Sequence, residues 1–153
     1  KPPAGKPEDL FLDKAIQDIL LLFEKDSRLD EDIEIKSELG EGIRVHMDPM
    51  HLNQILFNLL LNAAEAIEGK GMIRVRMFPG KNDLVTVEVE DNGRGIPPEL
   101  LPVIFDPFFT TKTRGSGLGL SIVHNILETY DSRLTVESRE NQGTTFRFRL
   151  KKR

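Results

Sequence analysis

The stretch LNQILFNLLLNAAEAI, residues 52–67, is apolar on nearly every side of a helix. At about 100° per residue, Leu52, Ile55, Leu56, Leu59, Leu60, Ala63, Ala66 and Ile67 make one broad face. Phe57, Leu61 and Ala64 lie on the far side. A narrow polar stripe runs between them: Asn58, Asn62 and Glu65, at i, i+4 and i+7. A helix apolar all round belongs in an interior. There an unpaired amide costs about 1–3 kcal/mol, so two Asn one turn apart must meet something polar. Neighbouring carbonyls or water would serve, and so would a pocket holding a polar ligand. An amide oxygen is a neutral hard donor, suited to Mg²⁺.

Working outward, Asp48-Pro49 reads as an N-cap followed by Pro at the first helical position, and Glu68-Gly69 as the stop. Upstream, residues 1–8 hold three Pro and read as a linker through which the chain would continue from a longer parent. Asp9 is placed as the cap of a first helix over 10–25, with Leu12, Ala15, Ile16, Ile19, Leu20 and Phe23 at helical spacing. Residues 33–39 and 43–47 alternate as strands. Downstream, 72–78 and 84–90 flank Pro79-Gly80-Lys81-Asn82-Asp83 as a hairpin. A glycine- and proline-rich irregular stretch covers 91–117. A third helix is expected over 118–129, and last strands over 133–138 and 144–150. Paired strands between helices suit an α+β fold: a mixed, mostly antiparallel sheet covered on one face by three helices.

Composition narrows the function. A chain of 153 residues, 39% hydrophobic and 30% charged, can bury a real core. It has no Cys, which excludes disulfides and thiol catalysis. With three His and no thiolate, a structural zinc site is not expected. A net charge of −4 offers no overall positive field for nucleic acid or anionic lipid. No apolar run approaches the roughly 20 residues of a membrane helix, so neither nucleic-acid binding nor direct membrane contact is expected.

Two glycine-rich stretches stand out. Asp91-Asn92-Gly93-Arg94-Gly95-Ile96 directly follows a strand. Its Asp, between apolar Val89 and Ile96, can accept from a ligand amine, or the stretch is a plain turn. Gly115-Ser116-Gly117-Leu118-Gly119-Leu120 directly precedes the third helix, where successive N–H groups suit phosphate. It is neither the dinucleotide fingerprint nor a P-loop. Lys112 and Arg114 lie just upstream. An Asn stripe for Mg²⁺, an Asp for a base and a glycine-rich helix start for phosphates together describe a nucleotide site.

These residues resemble the boxes of sensor histidine kinases. Asn58-Leu-Leu-Leu-Asn62-Ala resembles the N box, and Asp91-x-Gly93-x-Gly95 the G1 box. Phe105-Asp-Pro-Phe108-Phe-Thr-Thr-Lys112 is similar to the F box and short ATP lid, and Gly115-Ser-Gly117-Leu-Gly119-Leu to the G2 box. Gly143-Thr144-Thr-Phe146 resembles the final glycine motif. The resemblance runs from about residue 48 to 150. It implies the Bergerat fold, a two-layer α/β sandwich with a short lid, with residues 9–153 forming the catalytic ATP-binding domain. It also implies roles. Asp91 would bind the adenine amine, with Thr144 supporting the same edge. Asn62 would ligate Mg²⁺, with Asn58 contacting phosphate or metal nearby. Lys112 and the 117–119 backbone would hold the β- and γ-phosphates. Phe105 and Phe108 would anchor the lid. Gly93, Gly95, Ile96, Gly115 and Leu118 would complete the ATP site. Cofactors would be ATP and Mg²⁺. Partners would be a helical dimerisation and phosphoacceptor domain of the same parent, and the receiver domain of a response regulator. The location would be cytoplasmic, even if the parent is membrane-anchored.

Two departures qualify the likeness. Glu65 stands where many such kinases carry a basic residue, and Asp131-Ser132 replaces a glycine pair. The phosphoacceptor in the family is a His followed by an acidic residue. Here His46 precedes Met47, His51 precedes Leu52 and His124 precedes Asn125. All three are read as structural, so the chain alone is not expected to phosphorylate itself. Rival readings are an ATPase of the gyrase, MutL or chaperone type, a serine kinase of the anti-sigma type, and a degenerate docking module. The first two tend to carry a Glu where Asn58 stands.

Overall fold

A computed structural model describes residues 5–106 and 119–153. In chain order the elements are β1 (Glu8–Phe11), α1 (Leu12–Glu24), β2 (Ile33–Leu39), β3 (Arg44–Met47), α2 (Pro49–Ala66), β4 (Gly71–Pro79) and β5 (Leu84–Asp91). A 3₁₀ turn (Pro98–Val103), α3 (Gly119–Thr129), β6 (Thr135–Arg139) and β7 (Gly143–Lys151) follow. Five strands form one sheet in the order β2-β4-β5-β7-β6. Only β2 and β4 run parallel; the other pairs are antiparallel. β1 and β3 make a separate antiparallel pair. The expected α+β architecture is the one that forms. No described helix is long and apolar enough to cross a membrane.

Period-two alternation gives the sheet two unlike faces. Ile73, Val75 and Met77 of β4, Val85, Val87 and Val89 of β5, and Phe146, Phe148 and Leu150 of β7 are buried on one side. They join α2's Leu52, Ile55, Leu56, Leu59 and Leu60, α1's Ile16, Ile19 and Phe23, and α3's Val123, Ile126 and Leu127 in a single core. The opposite face carries charge. One row crosses all five strands: Glu38–Arg76 at 3.4 Å, Arg76–Glu88 at 3.0 Å, Glu88–Arg147 at 2.6 Å and Arg147–Glu137 at 2.8 Å. Glu88, at its centre, is 5% exposed and lies between two guanidiniums. The alternating signs let that face meet water without an apolar cover.

The start of the domain differs from the sequence expectation. Residues 8–11 are strand β1, and α1 begins at Leu12. Asp9 caps nothing. Its carboxylate meets His46 Nδ1 at 2.7 Å and Arg153 Nε at 3.2 Å, and those contacts hold it below the usual carboxylate range. Pairing with β3 captures this segment, and Leu12 N–H donates to the Ile43 carbonyl at 2.8 Å instead of to a side chain. Local cap chemistry loses here to a strand partner more than 30 residues away. The irregular stretch also contains the 3₁₀ turn, which its proline-punctuated pattern conceals.

The other end of the helical layer behaves as glycine would. α3 closes with Ser132 N–H donating to the Leu127 carbonyl and Asp131 N–H to that of Glu128, both near 3 Å. This is the paired closure that requires a left-handed residue, and Asp131 takes φ +53°. An acidic side chain there is also on the wrong end of the helix dipole. Asp131→Gly is therefore expected to stabilise the domain by roughly 0.5–1 kcal/mol, raising Tm by about 2–3 °C, measurable by thermal denaturation followed by circular dichroism.

Candidate functional site

Helix α2 begins as its sequence indicates. Asp48 Oδ1 accepts Met50 N–H at 2.8 Å, and Pro49 occupies the first turn. Two further contacts seal this end. Asp48 Oδ2 accepts Lys6 N–H at 2.8 Å, and Tyr130 Oη, just past α3, accepts Asp48 N–H at 3.0 Å. The same hydroxyl lies 2.7 Å from Nδ1 of His51, which is buried. His51 thus ties the start of α2 to the residue that follows α3.

The polar stripe is less enclosed than the apolar pattern suggests. Asn58 and Asn62 are half-buried, as are Phe57 and Leu61, and Glu65 is exposed. α2 therefore presents a buried face to the sheet and a partly open face carrying the two amides. Phe57 packs edge-on against Phe23, with ring centres 5.7 Å apart. Glu65 adds to the negative field that raises the Arg28 pKa, behind the Asp26 hydrogen bond that dominates it.

Asp91 ends β5, on the central strand pair, opposite Thr144 of β7. It is 5% exposed. Burial raises its pKa to about 6, against the pull of N–H donors from Gly93 and Thr144 and the positive charge of Arg94. The Gly93 N–H lies 2.8 Å from Oδ1. A carboxylate has about four lone-pair sites, so two such donors leave acceptor capacity for a ligand N–H. Thr144 is equally buried, and its hydroxyl lies 2.8 Å from Ser138 Oγ. Ser138 donates to the Gly143 carbonyl at 3.1 Å and accepts Ile96 N–H at 2.8 Å. With Ser138 donating to Gly143, the Thr144 hydroxyl acts as donor toward Ser138.

The loop after β5 is glycine-rich for reasons of packing as well as access. A Cβ on Gly93 would collide with the carbonyl of Ala66, at the end of α2. Gly95 sits at φ +72° against the Arg139 carbonyl. Between them, Arg94 N–H donates to Ala66 O, and its guanidinium donates to Glu65 O, both at 2.9 Å. Its own carbonyl accepts Asn141 N–H from the β6–β7 turn at 2.6 Å. The loop after β5 is thereby fastened to α2 and to the last hairpin at once. Asn62 lies one turn before Ala66, about 6 Å along the helix axis.

The remaining sequence candidates divide. Half-buried Phe105 follows the 3₁₀ turn and stacks on His124, with ring centres 6.0 Å apart at 17°. His124 also pairs with Glu128 at 2.8 Å. Gly119 is the first residue of α3, and a Cβ there would touch no described residue within 4 Å. Phe108, Lys112, Gly115, Gly117 and Leu118 lie outside the described residues. Asn58, Asn62, Asp91, Gly93, Gly95, Ile96 and Thr144 are all placed along α2, the β5 end and β7. Ser138 and Arg94 were not singled out by the sequence. Both are ordinary polar residues whose partners exist only after the strands and α2 are assembled.

Among the described residues no group of three or more His, Asp or Glu side chains could hold a metal ion. Mg²⁺ suits such a site only if it arrives with phosphate oxygens and water and takes few protein ligands. The amide oxygens of Asn58 and Asn62 are neutral hard donors of the kind such an ion accepts.

A model of the family described as histidine kinase-, DNA gyrase B- and HSP90-like ATPases matches residues 47–153. Sensor histidine kinase ZraS of Salmonella typhimurium is 39% identical over 147 residues, covering 95% of this chain and 31% of that protein. The nucleotide-free catalytic domain of histidine kinase ThkA superposes with a TM-score of 0.85 at 38% identity, covering 96% of each chain. ThkA in complex with the response regulator protein TrrA superposes at 0.81 with 35% identity, covering 96% of this chain and 42% of that one. The chain belongs to this ATPase family, as a catalytic ATPase domain of the sensor histidine kinases. It spans about a quarter to a third of the length of the curated relatives it matches.

The Asp91 environment sets a pH dependence. Its folded pKa is raised from 3.8 to about 6. An acid held more weakly ionised in the folded state destabilises it increasingly as pH rises from about 4 to 6, and by a constant amount above that. Asp91→Asn is therefore expected to stabilise the ligand-free domain at pH 7.5 by about 1–3 kcal/mol. The gain should vanish near pH 4, which denaturant titrations at the two pH values would show.

Proposed function

We propose that this chain binds ATP with Mg²⁺ and presents the γ-phosphate to a His on a separate helical domain of the same parent protein. The phosphoryl group would then pass to an Asp of a response regulator. Residues 9–153 form the catalytic unit in this reading, with residues 1–8 leading into it, working on the cytoplasmic side. The observation that carries it is the buried Asp91 carboxylate, held by two main-chain N–H groups at the end of β5 with acceptor capacity to spare. Adenine offers an exocyclic amine to such an acceptor; guanine offers an oxygen at the equivalent position and would be repelled. Gly93, Gly95 and Ile96 wall the base site, and Thr144 supports its edge.

The phosphate end follows from α2 and α3. Asn62 ligates Mg²⁺ and Asn58 contacts phosphate or metal beside it. Gly115, Gly117, Leu118 and Gly119 offer backbone N–H groups to the β- and γ-phosphates, and Lys112 adds charge. Phe105 and Phe108 anchor the lid. Phosphoryl transfer is mostly positioning and charge stabilisation, so the domain can supply all of this and still lack a nucleophile. The bond from the bridging oxygen to the γ-phosphorus breaks, ADP leaves with the electron pair, and the acceptor imidazole nitrogen forms the new P–N bond. A ThkA structure holds a response regulator, which supports a receiver-domain partner for this chain. Water activation of the gyrase kind needs a carboxylate where Asn58 stands, so hydrolysis would be slow.

Calorimetric titration tests the site. Wild type should bind Mg-ATP in the micromolar range and GTP weakly. Asp91→Asn loses a charge-assisted hydrogen bond and should weaken ATP by about 10–100-fold. ATP affinity unchanged in Asp91→Asn would overturn the base-reading assignment. Wild-type affinity should also fall as pH drops through about 6, because protonation removes the acceptor.

A further inference from the structure

The C-terminal turn of α2 contains no basic residue to meet its own dipole. Its last carbonyls are met instead by one residue of the base-side loop. Arg94 N–H donates to Ala66 O, and its guanidinium donates to Glu65 O. Charge at a helix C-terminus and donors on orphan carbonyls both favour this contact. Gly93 makes it possible, since any side chain there would strike the Ala66 carbonyl. The Arg94 carbonyl is in turn bonded to Asn141 of the turn between β6 and β7, the hairpin that carries Thr144. One residue therefore links three parts: the helix bearing Asn58 and Asn62, the loop bearing Asp91, and the strand bearing Thr144.

We propose that Arg94 is a positioning residue: it locks the amide stripe of α2 in register with the Asp91 base site, so that one nucleotide spans both. This rests on the ATP-site reading above. The guanidinium donates to a main-chain carbonyl of α2, and its charge also acts on Asp91; where Asp91 is fully ionised, its effect on the phosphate end is exerted through the position of α2. The backbone contacts of residue 94 survive substitution; the side-chain contact does not. Loss of that contact frees the last turn of α2, and with it the spacing between base and phosphate ends. Ligands that reach only the base end are spared.

The test compares adenosine and Mg-ATP affinities for wild type, Arg94→Ala and Arg94→Lys at pH 8, where Asp91 is ionised. Measurements are made well below each protein's Tm and at two ionic strengths. The expected result for Arg94→Ala is adenosine affinity within about twofold of wild type and Mg-ATP affinity lower by roughly tenfold, at both ionic strengths. Arg94→Lys, which keeps the charge and one donor, should recover part of the loss. An equal loss for both ligands would make Arg94 a general stabiliser and overturn the proposal, as would no loss for either. A Mg-ATP loss that shrinks sharply with added salt would make it a direct phosphate contact and also overturn it. Wild type that binds neither ligand would overturn the site reading itself, an outcome distinct from all of these.

Discussion

Everything in this domain depends on where α2 lies against the sheet. Its apolar face, Leu52, Ile55, Leu56, Leu59 and Leu60, is almost fully removed from water against β4, β5 and β7. Burial of that kind contributes about 1.5–3 kcal/mol per large side chain, far more than any single polar contact. But burial fixes only rotation and depth. Position along the helix axis is set by the ends: Asp48, Lys6 and Tyr130 at the start, Gly93 and Arg94 at the finish. The half-open amide stripe is a by-product of that placement. A helix pinned at both ends holds it steady.

The sheet serves the site in a similar way. The β5–β7 pairing sets Asp91 opposite Thr144, and a one-residue slip would turn both away. Register is held on one face by apolar packing and on the other by the acid–base row through Glu88. Exposed ion pairs contribute little singly. Here the central carboxylate is buried between two guanidiniums, so a slip would strand a charge. The sheet's outer face therefore contributes to specificity of register more than to adhesion.

Asp91 shows the tension usual at functional positions. Its burial disfavours the charged form, and its pKa rises accordingly. Two main-chain N–H donors keep the acid from being neutral at ordinary pH. The loop that supplies one of them is the loop that closes α2, so the ionisation of Asp91 and the capping of the helix rest on the same short stretch.

Much of this was legible in the sequence by itself. Period and punctuation placed β2, the hairpin of β4 and β5, both ends of α2 and the helical stretch of α3, because local spacing and turn chemistry govern those segments. The Asn stripe and the Asp91–Gly95 stretch were singled out as candidates from the sequence, the stripe because buried amides need polar partners. What only the tertiary structure decided was whatever rests on partners distant in the chain. Asp9 was taken from a cap to a strand because β3 offered it main-chain pairing. The Asn stripe became half-open because no described element covers that side of α2 completely. Asp131 adopts a glycine's conformation because the end of α3 leaves no other closure. Ser138 and Arg94 acquired their roles from the carbonyls and hydroxyls that folding set beside them. Sequence fixes local preference through nearby residues; which preferences prevail is settled by long-range contacts that no window along the chain contains.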